Sequence, residues 1–412
     1  MIGYDDALQR LLSQAAPTAV ERVAAAEAEG RVLAARLCSP EALPPFDNSA
    51  MDGFALACGE RPIVAGTEFD VAGASAAGDG IAEAHAPAAW EIMTGAPMPR
   101  GFDSVVPVEQ VHVLERAAGR PSRIRLEADV AARQHVREAG SDIAPGAVIA
   151  EAGTVCDAAL VMVCAAVGIG EVEVRRRPRA ALVNTGRELV DDPRRALAGG
   201  EIRNSNGPFL AARLRSAGAE VMGVRTVEDD ADAFLAAIDS MPGADVVIST
   251  GAVSMGRFDF VPDALARRGA TTLFHKVAIR PGKPLLAARL PSGALFFGLP
   301  GNPASTAVGL RFFVEPVLRA MLGMPPERVI RLPLRAAYAK RVPLRMHLKA
   351  RLAFDADGLG VEVLAGQESF RIRPLLAANA WAIVPPDVER LEAGELVEVV
   401  GRGHLEPLTV DA

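Results

Sequence analysis

Residues 179–186 read RAALVNTG, an apolar run that ends in a glycine turn, and residues 245–251 read DVVISTG, a second run of the same kind. Between them, residues 220–226 (EVMGVRT) have the composition of a strand. The intervening segments have helical patterns: 208–217, with Pro208 near its start and Gly218 at its end, and a helix capped by Asp229 or Asp230. The alternation of strands and helices predicts a parallel sheet with helices on both faces.

A later apolar run extends this domain toward the C-terminus. Residues 294–301 (ALFFGLPG) predict another buried strand, which leads through Asn302 and Pro303 into a long helix ending near Gly323. We therefore place an α/β domain at 179–323.

The flanking sequence has a different character. Thr18 and Glu21 form a TxxE capping box that predicts a helix running to about Leu37, and Asp157 predicts the cap of a buried helix over 158–170. Short β-like runs separated by Gly and Pro residues occupy the region between these two predicted helices. The chain is accordingly divided into a helical N-terminal part (1–45 and 147–178), an inserted β-rich domain (46–146), a three-layer α/β/α domain (179–323) and a small C-terminal β domain resembling a barrel (324–412).

Composition excludes several classes of protein. The 412 residues carry a formal net charge of −7, which argues against a protein that coats nucleic acid. The run at 158–170 is shorter than the roughly 20 residues of a membrane span, and no basic leader precedes an apolar stretch. We expect a cytoplasmic protein that binds neither nucleic acid nor membrane.

Three turns follow predicted strands, where open parallel sheets bind ligands. They are NTGREL at 184–189, STGAVSMGRFD at 249–259 and LPGNP at 299–303. Their glycines allow close approach of a ligand, and the helix start after Pro303 is expected to offer free N–H groups to an anion. Each turn alone is an ordinary tight turn; three on one sheet edge favour a ligand site.

Charged residues lie beside these turns. The chain has only four lysines, and Lys276 and Lys283 flank Arg280 in FHKVAIRPGKP. Glu188 and Asp259 lie just beyond two strand ends, where a carboxylate facing phosphate requires Mg²⁺ between them. Solvated surface acids are the alternative interpretation. Likewise, the oxygen-rich loop FDNSAMDG at 46–53 is explained equally well by Asx turns.

Taken together, seven segments resemble the molybdopterin molybdenumtransferase family, in its order and spacing. They are PPFDNSAMDGFAL (44–56), IMTGAPMPRGFDSVVPVE (92–109), REAGSDIAPG (137–146), TGREL (185–189), DVVISTGAVSMGRFD (245–259), KVAIRPGKP (276–284) and FGLPGNPAS (297–305). The resemblance covers nearly the whole chain and is weakest after about residue 324.

The resemblance implies an enzyme that inserts molybdenum from molybdate into adenylylated molybdopterin and releases AMP in a Mg²⁺-dependent step. It also implies an elongated homodimer, with the N-terminal part serving dimerisation. Each active site would combine the α/β domain of one subunit with the inserted domain of the other. Contact with the molybdopterin adenylyltransferase is a further implied partnership.

The matching motifs imply which residues of this chain correspond to the functional residues of the family. The residues implied to be catalytic are Asp52, Thr94, Asp142, Glu188 and Asp259, of which Glu188 and Asp259 would hold Mg²⁺. The residues implied to bind substrate are Arg137, Gly186, Asp229, Gly251, Ser254, Lys276, Arg280, Lys283, Pro300, Gly301, Asn302 and Pro303.

Two other functions stay open, one because a related α/β domain with similar turns performs adenylylation and the other because this chain departs from the family pattern. Family members commonly read TGDEL where this chain has Arg187, and a Gly-Ser pair where it reads GQESF at 366–370. Adenylylation of molybdopterin is one alternative, although it would not need the first 178 residues. A pterin-binding or scaffolding paralogue without turnover is the other.

Overall fold

The protein is described by a computed structural model that covers residues 1–253, 260–356 and 358–411, and its fold is mixed α/β. The residues that precede the central sheet form mostly short strands. In chain order these elements are α1 Tyr4–Leu12, β1 Val20–Ala24, a 3₁₀ turn Ala25–Glu27, β2 Leu37–Cys38, β3 Asn48–Ser49, β4 Gly53–Leu56, β5 Glu68–Ser75, β6 Ala89–Ile92, β7 Ser104–Pro107, a 3₁₀ turn Val108–Gln110, β8 Val111–Ala117, β9 Arg120–Leu126, β10 Val136–Arg137, β11 Val148–Ala150, α2 Ala158–Ala166 and β12 Glu171–Arg175.

Strands and helices then alternate. They are β13 Arg179–Thr185, β14 Leu189–Val190, β15 Ile202–Arg203, α3 Asn206–Ser216, β16 Glu220–Val227, α4 Ala231–Asp239, β17 Val246–Thr250, α5 Val261–Arg267, β18 Thr271–His275, β19 Ile279–Arg280, β20 Leu286–Arg289, β21 Leu295–Leu299, α6 Pro303–Gly309, a π-helical turn Leu310–Val314 and α7 Glu315–Met321.

The C-terminal region is again mainly β. Its elements are β22 Ile330–Pro333, β23 Tyr338–Ala339, β24 Arg345–Asp355, β25 Gly358–Val363, α8 Pro374–Ala377, β26 Ala380–Val384, β27 Arg390–Leu391 and β28 Leu396–Gly401.

The central sheet has the strand order β16-β13-β17-β21-β20-β18. The first four strands are mutually parallel, as the sequence predicts, and β20 and β18 are added with antiparallel pairings. Separate apolar cores lie on its two faces: one contains Leu210 of α3 and Phe313 of the π-helical turn, and the other contains Phe234 of α4. Helices therefore cover both faces, as a parallel sheet with apolar strands requires.

Two other six-stranded sheets flank the central one. The order β7-β4-β6-β5-β9-β8 lies within the inserted region, and β19-β24-β26-β28-β22, with β25 paired to β24, forms the C-terminal sheet. Strand β19 belongs to the loop between β18 and β20, so one C-terminal strand is contributed by the α/β sequence itself. Among the described residues, no helix has the length and apolar character needed to cross a bilayer.

The helix predicted from Thr18 to about Leu37 is wrong. Residues 20–24 are strand β1, whose Val23 pairs with Val172 of β12. Thr18 caps no helix, because its hydroxyl donates to the carbonyl oxygens of Arg176 (2.7 Å) and Met321 (3.2 Å). Alternation of half-buried and exposed side chains in VERVA matches a strand, and a distant strand supplies the pairing that the capping box could not reveal.

The predicted cap at Asp157 is confirmed, but the helix is not buried. The Asp157 carboxylate accepts the Leu160 N–H at 2.8 Å, and only Leu160 and Cys164 of α2 are buried while Met162 is 67% exposed. Of the two caps proposed for α4, Asp230 is the one used, through the Ala233 N–H at 2.8 Å. An apolar helix with a solvent-facing side is unusual for a closed domain.

His347 on β24 is a buried titratable group without a polar contact. Its ring centre lies 4.0 Å from that of Phe312 and 5.6 Å from that of Tyr4. Within the described part of the chain neither ring nitrogen has a hydrogen-bond partner. Burial, the larger cause, and the nearby Arg345 and Arg311 hold the pKa of His347 well below its ordinary value.

We expect His347→Phe to flatten the acid dependence of stability. The folded-state pKa lies below the unfolded value near 6.5, so stability is fully present above that pH and is lost as the pH falls, when only the unfolded chain takes the proton. Between pH 8 and pH 5, the variant should therefore lose less unfolding free energy than the parent. Denaturant titrations from pH 8 to 5 measure this, with exposed His112→Gln as the control; parallel curves for parent and His347→Phe would contradict it.

Candidate functional site

The register of the central sheet brings most predicted site residues to one edge. The parallel strands β13, β16, β17 and β21 end there. On the antiparallel side, Leu286 at the start of β20 lies opposite Gly298, and His275 at the end of β18 lies opposite Leu286. The loop between β18 and β20 therefore leaves the sheet at the same edge. The predicted residues that follow these strand ends are Gly186, Glu188, Asp229, Gly251, Lys276, Arg280, Lys283, Pro300, Gly301, Asn302 and Pro303.

Gly251 closes the turn after β17 against its neighbours. Its backbone has φ +91°, which side chains other than glycine rarely adopt. A Cβ atom there would lie 2.6 Å from the Thr185 carbonyl oxygen, and the Gly251 N–H donates to the Leu299 carbonyl at 3.1 Å. The turns after β13, β17 and β21 are thus packed backbone to backbone.

Glu188 folds back over the first turn. A Cβ atom at Gly186 would lie 2.7 Å from both carboxylate oxygens of Glu188, so only glycine leaves room for that carboxylate. The Ile202 N–H fixes the backbone of Glu188 by donating to its carbonyl at 2.8 Å. Among the described residues, the carboxylate itself has no hydrogen-bond or salt-bridge partner, and it is half-buried at the sheet edge.

A layer of buried amides and hydroxyls lies beneath the turns, and the sequence interpretation missed it. Asn206, at the start of α3, donates from Nδ2 to the Gly301 carbonyl at 2.8 Å. Asn184 at the end of β13 accepts the Thr250 hydroxyl at 2.8 Å. Asn206 Oδ1, Asn184 Nδ2 and Ser249 Oγ are buried without a partner in the described part of the chain. Polar residues ending otherwise apolar strands, in VNT and IST, were the available signal.

The cationic loop is anchored from two sides. Lys276 is half-buried, with its N–H donating to the Leu285 carbonyl at 2.9 Å, while Arg280 and Lys283 are exposed. Arg280 lies on β19, opposite Met346 of the C-terminal sheet. The loop that carries the positive charges is therefore fixed between the central and C-terminal sheets.

The helix start after LPGNP is less open than the sequence predicts. The Ala304 N–H donates to the Ser369 carbonyl at 2.9 Å, so a C-terminal loop already occupies a group that was expected to be free. The Thr306 hydroxyl donates to the Pro300 carbonyl at 2.6 Å and fixes the turn. The expected cradle of free N–H groups is corrected accordingly, because tertiary contact satisfies one of them.

Four other predicted residues gather in the inserted region. The carboxylate of Asp52 accepts both the N–H (2.7 Å) and the hydroxyl (2.8 Å) of Thr94. Arg137 pairs with Asn48 of β3, and Asp142 donates its N–H to the Leu43 carbonyl at 3.0 Å. The hydrogen bonds described for these residues join them to the loops around β3 and, through the Val108 N–H and the Asp52 carbonyl (3.0 Å), to the 3₁₀ turn after β7. They form a second group, apart from the one at the sheet edge.

The bonds from Thr94 lower the pKa of Asp52, the backbone N–H contributing more than the hydroxyl. We expect Thr94→Val to raise the pKa of Asp52 part of the way to its ordinary value, because the backbone bond remains. Since the folded-state pKa is lowered, the stabilisation from this pair is present above the ordinary carboxyl pKa and is lost as the pH falls. Titration of the Asp52 carboxyl carbon by NMR measures the shift. Thr94→Ser should leave it in place, and an unchanged titration in Thr94→Val would assign the effect to the backbone alone.

Two predicted residues, Ser254 and Asp259, lie outside the described residues. Within the described ranges, no cluster of three or more His, Cys, Asp or Glu side chains is arranged to hold a metal ion. Magnesium, however, is commonly bound by one or two carboxylates together with substrate phosphates. The unpaired Glu188 carboxylate fits that mode of binding and not a cage made of protein ligands alone.

The sheet edge defines a class of protein: an α/β protein whose glycine turns and lysine-containing loop lie at the strand ends of a parallel sheet, where such sheets bind ligands. Three family models match the chain in succession: MoeA N-terminal region (domain I and II) at 2–168, probable molybdopterin binding domain at 181–320, and MoeA C-terminal region (domain IV) at 331–401.

Whole-length relatives agree with these matches. A molybdopterin molybdenumtransferase of Synechococcus elongatus is 38% identical over 97% of this chain and 99% of its own length. Molybdopterin molybdenumtransferase 2 of Mycobacterium tuberculosis is 33% identical over 90% and 93%. The crystal structure of molybdopterin biosynthesis MoeA protein from Pyrococcus horikoshii OT3 superposes with a TM-score of 0.79 at 25% identity, covering 97% of this chain and 99% of that one. The chain belongs to the molybdopterin molybdenumtransferase family.

Proposed function

We propose that this protein is a transferase of molybdenum cofactor biosynthesis that inserts molybdenum from molybdate into adenylylated molybdopterin and releases AMP. The observation that carries the proposal is the convergence of Lys276, Arg280 and Lys283 with the glycine turns and Glu188 on one sheet edge. Family membership supports the identity of the substrates, and the geometry supports this sheet edge as the place where they bind.

The chemistry explains why cations are needed at this edge. The diphosphate of adenylylated molybdopterin and molybdate are both anions, so the reactants repel one another in water. Lys283 and Arg280 are exposed at the loop that faces the turns, where they can pair with phosphate or oxyanion oxygens. Gly186 and Gly251 keep the turns packed closely against Glu188 and Thr185, and at Gly301 the absence of a side chain leaves room for a ligand to approach the backbone. The residues thereby bind and orient two anions at one edge.

Glu188 is the described residue that would hold Mg²⁺, with Asp259 as the second ligand suggested by the sequence. When bound, the ion would neutralise charge on the diphosphate and on the departing AMP. Arg187 stands beside Glu188 where relatives commonly have aspartate, so this chain offers one carboxylate fewer at that turn. We propose that the substrate's own oxygens make up the difference.

Asp52, Thr94, Arg137 and Asp142 form the opposite wall of the site in this proposal, contributed by a second subunit. Three separate six-stranded sheets support the proposed inserted, α/β and C-terminal domains, and the proposed N-terminal part contains none of these sheets. Helix α2 supports a homodimer. Its sequence AALVMVCAA is apolar throughout, yet it leaves Met162 and four of its alanines exposed, and a second copy of the chain would bury that surface.

An assay of AMP release tests the function. Incubation with adenylylated molybdopterin, Mg²⁺ and molybdate should give molybdate-stimulated AMP release. Lys283→Met should lower kcat/KM by roughly 10- to 100-fold, since a hydrogen bond to a charged group is worth about 1.5–3 kcal/mol. Arg215→Met removes an exposed charge at the far end of α3 and should leave the rate unchanged.

The same assay separates the alternatives. Net attachment of AMP to molybdopterin from ATP would instead assign the preceding, adenylylating step. Tight pterin binding without AMP release would assign a binding or scaffolding role. A Lys283→Met variant as active as the parent would remove the cationic loop from the mechanism.

A second experiment tests the dimer. The chain has a mass of 43.1 kDa. We expect sedimentation to give a mass in solution of about twice that value. Met162→Glu should shift the protein to the monomer and abolish AMP release, because the charge would be buried in the interface. Leu396→Glu alters a residue of similar exposure (61%) on the C-terminal sheet and should remain dimeric. A fully active monomer would contradict the composite site.

A further inference from the structure

Lys349 on β24 is a fully buried lysine whose amine contacts only backbone carbonyls. Its side chain is 1% exposed, and Nζ donates to the carbonyl oxygens of Gly366 (2.7 Å), Arg371 (3.2 Å) and Glu368 (3.4 Å). An ammonium group has three N–H donors, and each therefore has an acceptor. Burying a charge is costly unless it is satisfied in this way, so the arrangement demands a specific role.

The three carbonyls belong to a single loop, residues 366–371, which we name the GQESFR loop. Gln367 of this loop also binds the backbone of Lys349. Its Oε1 accepts the Lys349 N–H at 3.0 Å, and its Nε2 donates to the carbonyls of Lys349 and Leu364, both at 2.8 Å. Side chain and backbone of one residue on β24 thus hold the loop from both directions.

The GQESFR loop reaches the candidate site. Its Ser369 carbonyl accepts the Ala304 N–H at 2.9 Å, one residue after the LPGNP turn. Next to that contact, Phe370 is 63% exposed and Arg371 pairs with Glu368 at 3.0 Å. The loop therefore forms a wall beside the turn that follows β21, and its position there depends on the bonds to Lys349.

We infer that Lys349 is a positioning residue that clamps the GQESFR loop onto the start of α6 and so sets the C-terminal wall of the candidate site. It does not touch the substrate in this inference, because its amine is enclosed and its three donors are used. The part that concerns the site rests on the proposed function; the clamp itself does not.

Lys340 provides a matched control. Its amine also donates to three carbonyls of the C-terminal region, those of Leu344 (3.3 Å), Pro386 (2.7 Å) and Pro385. None of these belongs to the GQESFR loop. A lysine with the same bonding pattern in the same part of the fold can therefore be removed without releasing the loop from α6.

Hydrogen exchange followed by mass spectrometry tests the clamp without substrate. Lys349→Met keeps the length and apolar character of the stem but removes the donors, so the Ala304 amide, read in peptides spanning 300–309, should exchange at least tenfold faster than in the parent. Lys349→Arg retains donors and should restore part of the protection. Lys340→Met should leave the same peptides unchanged. Equal exchange in Lys349→Met and the parent, or equal loosening in Lys340→Met, would overturn the inference.

The AMP-release assay tests the contribution to the site. We expect Lys349→Met to raise KM for adenylylated molybdopterin at least fivefold while kcat changes less, because the loop shapes the binding wall and supplies no reacting group. Faster exchange with an unaltered KM would remove the loop from the site. If the parent released no AMP, the proposed function would fail while the exchange data still decided the clamp.

Discussion

The structure depends on how two antiparallel strands join the edge of a parallel sheet. Because β20 runs against β21 and β18 runs against β20, the loop joining β18 to β20 returns to the edge where the parallel strands end. This register brings the loop that carries Lys276, Arg280 and Lys283 to the same sheet edge as the glycine turns. If β18 and β20 had been parallel to β21, a crossover connection, usually a helix, would have joined them in place of this short cationic loop.

The exposed charges and the buried hydrogen bonds have different roles at that edge. The exposed cations attract anions over a distance set by salt screening, whereas the buried amides of Asn184 and Asn206 hold the turns at fixed separations through Thr250 and Gly301. Since these amides lie in a low-dielectric layer, their hydrogen bonds are strong and costly to leave unmade. The buried layer of the edge is thus held by hydrogen bonds, and its exposed surface is positively charged. This arrangement suits the binding of an anionic substrate to a preformed site.

The C-terminal region is joined to the segments of the candidate site by contacts of three kinds. Strand β19 pairs with β24, Lys349 on β24 holds the GQESFR loop, and the Ser369 carbonyl meets the start of α6. Farther along the same helical segment, buried Glu315 accepts from Arg213 at 2.9 Å and from the His404 N–H at 3.0 Å. Burial raises the pKa of Glu315, against the opposing effect of Arg311 and Arg213, so breaking either contact would leave a buried carboxyl group without part of its support.

Sequence alone determined the alternation of strands and helices from Arg179 to Thr250, the cap at Asp157 and the position of the glycine turns, because these follow from local periodicity and local hydrogen bonds. It left the cap of α4 open between Asp229 and Asp230. Asp52 and Thr94 came from the family resemblance, which did not predict the bond between them. Tertiary structure decided the rest. Residues 20–24 form a strand only because β12 lies beside them, and the Ala304 N–H is occupied only because Ser369 reaches it. Neither Asn206 nor Lys349 carries a local signal, since the partner of each is distant in sequence: the buried amide and the buried amine acquire their roles only when packing removes water and leaves one set of carbonyls within reach.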